Sequence, residues 1–345
     1  MPCKDIIVGI PREIMLHEGR VPLLPDSVKK IRDALGNNRR VYIAVQRGVG
    51  ASIGITSNMW KQAGAHVCDK RTLYRRADII LKVKQPFAEE VHLYREGQLC
   101  ACFHHPTTNQ DVVTRLIHNH VLVAPFEYYR PGLRAMSCEA GRHVATILNT
   151  LCGESWKREH IFFGGGRGMV CQHAIAQCRR MGIRAKQIHA CDRENGLFFS
   201  EKLRMSYMTF SGEDQTELCE RLQKCRILVL AAVGQHGAPR FLKSHHIDLL
   251  PDGAVIVQVS IDEGGNIDDP EFQRVTYWGN PSYTVQRGSK QFTVCNIPDI
   301  PGCLSPKSAS IALDEANFSY YFDLFQSFPN VADEFLYSPS GIVRS

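Results

Sequence analysis

Four polar side chains stand where short apolar runs give way to loops: Arg20, Lys84, His105 and Asp262. A guanidinium and an ammonium can anchor a carboxylate and polarise a carbonyl, an imidazole can move a proton, and a carboxylate can orient a polar reactant. Singly, each has a plainer reading. Arg20 and Lys84 could be solvated surface charges, His105 a satisfied histidine, and Asp262 a turn residue. Together the four suit a hydride transfer coupled to proton movement.

A second motif points the same way. The apolar run Ile161-Phe162-Phe163 ends in Gly164-Gly165-Gly166-Arg167-Gly168, and a helical pattern follows at once. A turn without Cβ atoms at a helix start lets backbone N–H groups face a pyrophosphate. In the strict G-x-G-x-x-G pattern the third glycine would fall at Met169, so closer helix packing is not expected from that position. Asp192 ends the next strand, 28 positions after the first glycine. The usual interval is about 20. A carboxylate there can accept from ribose hydroxyls and repels a 2′-phosphate, which favours NAD over NADP, while the adjacent Arg193 works against that preference.

These residues need a framework, and the apolar pattern supplies one. Runs such as Asp5–Ile10, Val41–Val45, Asp78–Lys84, Leu99–His105 and Val121–Tyr129 alternate with helical stretches, a βαβα rhythm of parallel strands buried on both faces. Asp26 and Ser57 read as helix N-caps. After a long helix containing MSCEAGR, the alternation begins again at Ile161. The spacing predicts an α/β chain of two Rossmann-like domains with parallel sheets. Residues 131–301 would form the NAD-binding domain. Residues 1–130 and 302–345 would form the substrate domain, completed by the C-terminal helix that starts near Pro306.

Composition narrows the class. The chain has 345 residues, 44% apolar and 22% charged, enough for two cores but few for three. The net charge of +6 is dispersed, which argues against nucleic-acid binding. Thirteen cysteines without a C-x-x-C pair suggest neither a disulfide framework nor a metal site. Cys100 and Cys102 alternate within an apolar run and read as strand filling. No run has the length of a membrane span and no secretory signal is evident. A reduced, cytoplasmic protein is expected.

The segments VGIPREIMLHEGRVPLLPDSV, LKVKQP, GQLCACFHH, MSCEAGR, VSIDEGGNID and CNIPDIPGCLSPKSASIAL resemble, in order, those of the alanine dehydrogenase and pyridine nucleotide transhydrogenase family. That resemblance implies Arg20 and Lys84 as substrate ligands, His105 as the acid/base and Asp262 as the catalytic aspartate near a nicotinamide. It also implies that Ser137, Val233, Ile261 and Asn296 line the cofactor cleft with Gly164, Gly166, Arg167, Gly168 and Asp192. The substrate would be an amino acid or 2-oxo acid, and the protein a homo-oligomer. The chain departs from alanine dehydrogenases between FEYY and MSCEAGR and at the brief CGESWKREH. Its GGGRG turn also resembles that of saccharopine dehydrogenases, which reduce a larger imine. A saccharopine-like enzyme and a non-catalytic NAD-binding regulator therefore stand as alternatives to an amino-acid dehydrogenase.

Overall fold

A computed structural model describes residues 5–35, 41–192, 206–209, 215–234 and 237–337; Arg193 lies outside them. Contacts divide the chain into two compact units. The first comprises Met1–Met136 with Ser305–Ser345, and the second Ser137–Leu304.

In the first unit, strands β1 (Ile6–Ile10), β2 (Val41–Gln46), β3 (His66–Cys68), β4 (Ile79–Lys84), β5 (Leu99–Phe103) and β6 (Leu122–Pro125) form one sheet. Their order is β3-β2-β1-β4-β5-β6, and every pairing is parallel. The chain thus runs outward one way from β1 and then the other way from β4. Ligands of open α/β sheets bind beyond the carboxyl ends of the strands at such a reversal. All residues of β4 and β5 are buried, which explains the apolar run of β5 and of β4 up to Leu81, and leaves Lys82 and Lys84 as charges inside the sheet. One face packs Leu81, Val83, Ala101 and Phe103 against the C-terminal helix Pro306–Ser327. The other packs Ile80, Cys100 and Cys102 against Leu73, Tyr74 and Tyr94.

The C-terminal helix completes this unit through both apolar and polar contacts. Asp314 accepts from Leu24 N at 3.2 Å and Ser27 Oγ at 2.7 Å, and the Tyr321 hydroxyl donates to Pro22 O at 2.7 Å. Gly132 lies so near Asn317 that a Cβ there would meet its Oδ1 at 2.0 Å. That approach, and the Met136 sulfur that accepts from Arg20, tie the first turns of the helix Arg130–Cys152 to this unit. The division accordingly falls at 136/137, six residues beyond the sequence expectation of 130/131, and the return falls at 304/305. Two caps also differ. Asp26 sits inside the helix Pro25–Leu35, and Thr56, whose hydroxyl accepts from Met59 N, caps the helix that Ser57 begins.

The second unit repeats the plan with β7 (Ile161–Gly164), β8 (Ile188–Asp192), β9 (Ser206–Thr209), β10 (Ile227–Leu230), β11 (Leu242–Lys243), β12 (Val255–Gln258), β13 (Ile267–Asp268), β14 (Tyr283–Arg287) and β15 (Lys290–Cys295). Its main sheet has the order β14-β15-β12-β10-β7-β8-β9, reversing between β7 and β10, while β11 and β13 pair separately. One edge departs from the expected parallel arrangement, because β14 and β15 form an antiparallel hairpin. Among the described residues no helix is long and apolar enough to cross a membrane.

Asp314 gives the first unit a pH signature. Burial raises its carboxyl to about 6, against the hydrogen bonds from Ser27 and Leu24 that pull it down. A raised folded-state value means that the stabilisation from protonation is complete below about 4 and is lost as pH rises through about 6. Denaturant unfolding of Asp314→Asn beside the parent should show their stability difference moving in the variant's favour from pH 4 to pH 7. At roughly 1.4 kcal/mol per pK unit the change is about 2–3 kcal/mol at most. A pH-independent difference would contradict this.

Candidate active site

In the first unit, Lys84 is the last residue of β4 and His105 follows β5 by two positions. Strand pairing between them shifts register from Leu81 to Lys84, and both side chains are buried at the carboxyl edge. Lys84 Nζ stands 3.4 Å from His105 Nε2. On the other side of the ring, Nδ1 lies 3.6 Å from Glu127 Oε1. A proton on Nδ1 faces that carboxylate and leaves the Nε2 lone pair toward the lysine, so the surroundings select one tautomer. Glu127 also accepts from the backbone N–H groups of His104 (3.2 Å) and His105 (2.6 Å). His105 adopts a left-handed φ of 45°, a conformation uncommon outside glycine that histidine tolerates better than most side chains.

Arg20 lies in the loop after β1 and is buried with Glu18. Its Nε and Nη2 donate to the two carboxylate oxygens at 2.9 and 2.5 Å, and its Nη1 faces the Met136 sulfur at 3.2 Å. The guanidinium is thereby oriented by protein alone, before any ligand binds.

Beneath these groups lies a buried charge cluster. Lys82 Nζ is 3.2 Å from Glu13 Oε2 and 3.5 Å from Glu90 Oε2, with no exposed side-chain surface. Burial opposes its charge, but Glu13 above all outweighs it and holds the ammonium above its ordinary value. Glu13 also accepts from Val83 N at 2.6 Å, which fixes the β4 residue next to Lys84.

In the second unit, β7 ends at Gly164, and Gly165 takes a φ of 87° with its N–H and that of Gly166 both donating to Cys191 O at 2.9 Å. A Cβ at Gly165 would lie 2.7 Å from the Ala232 backbone, so only glycine fits. Gly168 then caps the helix Met169–Arg180. Arg167 and Gly168 are exposed at this turn, and Asp192 Oδ2 accepts from Arg167 N at 3.0 Å. Bare backbone, the positive end of a helix and a carboxylate one strand away fit the pyrophosphate and ribose of a dinucleotide. Met169, half-buried, opens the helix, and the close approach to that helix is made by Gly141, where a Cβ would meet Val170 O at 2.3 Å and His173 Cβ at 2.8 Å.

The remaining positions follow neighbouring strands. Val233 lies beyond β10 and is 54% exposed. Ile261 (buried) and Asp262 (half-buried) form the short turn after β12. Asn296 follows β15, so these residues share one edge with the glycine turn. Ser137 sits instead on the helix Arg130–Cys152, half-buried. The Asn296 amide is fully buried and engaged with Phe272 O, Arg274 O, Tyr283 and Gln258, so its side chain is committed to holding the segment from Phe272 to Tyr283. Sequence reasoning missed Asn266, whose side chain accepts from Ala232 N and Ser260 Oγ and donates to Ala232 O and Pro239 O. It also missed Glu18, Glu127, Glu13 and Gly141, all of which lie inside or beside the quoted motifs.

Two family models match, Alanine dehydrogenase/PNT, N-terminal domain, over residues 9–141, and Alanine dehydrogenase/PNT, C-terminal domain, over residues 148–334. Alanine dehydrogenase of Methanococcus maripaludis is 25% identical over 85% of this chain and 81% of its own length. That of Staphylococcus epidermidis is 26% identical over 91% and 86%. Among solved structures, an L-alanine dehydrogenase superposes with a TM-score of 0.74 at 22% identity over 97% of this chain and 98% of its own. A transhydrogenase from Sinorhizobium meliloti gives 0.72 at 22% over 98% of each chain. The chain belongs to the alanine dehydrogenase/PNT family and is an oxidoreductase of that family.

Proposed function

We propose that this protein is an NAD-linked amino-acid dehydrogenase that interconverts an L-amino acid with its 2-oxo acid and ammonia, working as a homo-oligomer in the cytoplasm. The observation that carries the reading is the 3.4 Å approach of Lys84 Nζ to His105 Nε2 at the carboxyl edge of the first unit's sheet. An ammonium and an imidazole with its lone pair turned toward it, next to a pre-oriented arginine, match the needs of a substrate bearing a carboxylate and an ionisable nitrogen. The relatives from Methanococcus maripaludis and Staphylococcus epidermidis, similar to this chain over most of both lengths, are alanine dehydrogenases.

Arg20 and Lys84 hold the substrate carboxylate and stabilise charge on the reacting centre. The oxidised nicotinamide, when bound, supplies the hydride acceptor for the Cα hydrogen. His105 Nε2 takes the proton released as the amine becomes an imine and water adds to it, and Glu127 keeps that nitrogen basic by facing Nδ1. Asp262 steers the water. Gly164, Gly166, Arg167 and Gly168 would hold the pyrophosphate, Asp192 the adenosine ribose, and Ser137, Val233, Ile261 and Asn296 the cleft walls. NAD is preferred over NADP because the Asp192 carboxylate repels a 2′-phosphate.

Three measurements test this. NADH oxidation with pyruvate, glyoxylate or 2-oxoglutarate should require ammonia. A requirement for lysine or another amino acid would assign the saccharopine-like reaction, and no turnover with any pair would leave a binding protein. His105→Ala should lower kcat about 10²–10⁴-fold, the usual cost of losing a positioned acid/base, while NADH affinity stays within a few fold. Near-normal turnover would remove His105 from proton transfer. Calorimetry should show NAD(H) binding more tightly than NADP(H), with the gap narrowed in Asp192→Ala; tighter NADP(H) binding by the parent protein would reverse the cofactor assignment.

A further inference from the structure

On the face of β5 away from the C-terminal helix, Cys100 and Cys102 point the same way, and His104 continues the row just past the strand. All three are fully buried, and one ligand atom from each lies within 4.8 Å of the others. The C-x-C-x-H spacing is that of alternate strand residues, which project on one side. It falls outside the C-x-x-C patterns by which metal sites are recognised, and the sequence was therefore read as free of one. We propose that Cys100, Cys102 and His104 form a site for a thiophilic divalent cation of the zinc type.

The imidazole provides an independent indication. His104 Nε2 lies 3.1 Å from Cys100 O. A carbonyl can only accept, so Nε2 carries the hydrogen and Nδ1 keeps its lone pair. Yet Nδ1 is buried and makes no hydrogen bond. An orphaned buried acceptor is costly, whereas an imidazole that donates one N–H to a backbone carbonyl and turns its other nitrogen elsewhere is in the posture of a metal ligand. The Tyr94 hydroxyl lies 3.3 Å from Cys100 Sγ, beside the cluster. Zinc–sulfur and zinc–nitrogen bonds of about 2.3 and 2.0 Å place ligand atoms roughly 3.5–3.8 Å apart, so side-chain adjustments of about 1 Å close the site. Cation binding releases the thiol protons to solvent and forms two sulfur–metal bonds and one nitrogen–metal bond, with no change of oxidation state. His105 follows His104 directly, so a cation here would also tether the residue that precedes the proposed acid/base.

The test uses the full chain, stripped with chelator under reducing conditions. Zinc titrated in competition with a chromophoric chelator should load one equivalent per chain. Cobalt(II) should give a thiolate-to-cobalt charge-transfer band. Zinc should shield two thiols from alkylation, and both should map to the segment containing Cys100 and Cys102. Cys102→Ser should weaken zinc binding at least about tenfold, the lower end of what supporting changes at metal sites produce. Cys178→Ala, at a buried cysteine of the second unit, should leave it unchanged. Cys102→Ser may be compared only if its circular dichroism melt resembles the parent's; otherwise shielding and the cobalt spectrum of the parent decide. Absence of stoichiometric zinc uptake, a cobalt spectrum without thiolate character, or shielding mapped to other cysteines would overturn the proposal.

Discussion

The proposed substrate site depends on how this fold keeps charge inside a sheet. Lys82 has no exposed side chain, and an isolated ammonium at such a place would lose its proton or disrupt the fold. Glu13 and Glu90 hold it charged, and Glu13 does so from the loop after β1 while also accepting the Val83 N–H. That single carboxylate therefore joins the two strands between which the topology reverses and fixes the residue preceding Lys84. The register shift in β4 occurs at this place, where the strand leaves regular pairing and Lys84 reaches the histidine. A buried pair of this kind adds little net stability, since desolvation cancels most of the attraction.

The second unit meets the opposite demand with the same topology. The proposed dinucleotide would carry its own charge, so its site calls for close backbone approach more than charged side chains. Gly165 passes within 2.7 Å, for a Cβ, of Ala232, and Asn266 clamps the Ala232 peptide from both its N–H and its carbonyl. The loop after β10 is thus held against the glycine turn by one buried amide. Both units reverse strand order at their first strand, β1 against β4 and β7 against β10, yet their sequences at those points share no motif. One reversal is furnished with lysine, arginine and histidine, the other with glycine.

What could be read from the sequence follows from the range of the interaction concerned. Apolar runs, the glycine turn and the strand-end positions of Lys84, His105 and Asp262 are local, and strands buried on both faces announce themselves as unbroken runs. The α/β class and the return of the C-terminal helix were legible on that basis. Glu127 was not, because it acts on His105 from 22 positions away, and nothing in FEYY distinguishes it from a solvated acid. Gly141 was hidden for a related reason: its packing against Val170 and His173 exists only once two helices meet. The boundary at 136/137 moved because Gly132 and Met136 have partners at Asn317 and Arg20, contacts far apart in the chain. The β14–β15 hairpin was missed although Gly288 supplies the left-handed turn it needs, since neither strand is a continuous apolar run.

The two adjacent histidines show how local backbone conformation divides roles that composition leaves identical. In an extended strand, His104 and His105 would point to opposite faces. The left-handed φ at His105 breaks that alternation as the chain leaves β5. His104 stays buried, tied to Cys100 O, while His105 turns its Nε2 to Lys84. Glu127 supports this conformation, because its two oxygens accept the backbone N–H groups of His104 and His105. The same carboxylate faces His105 Nδ1, so the group that stabilises the turn also determines which ring nitrogen is basic.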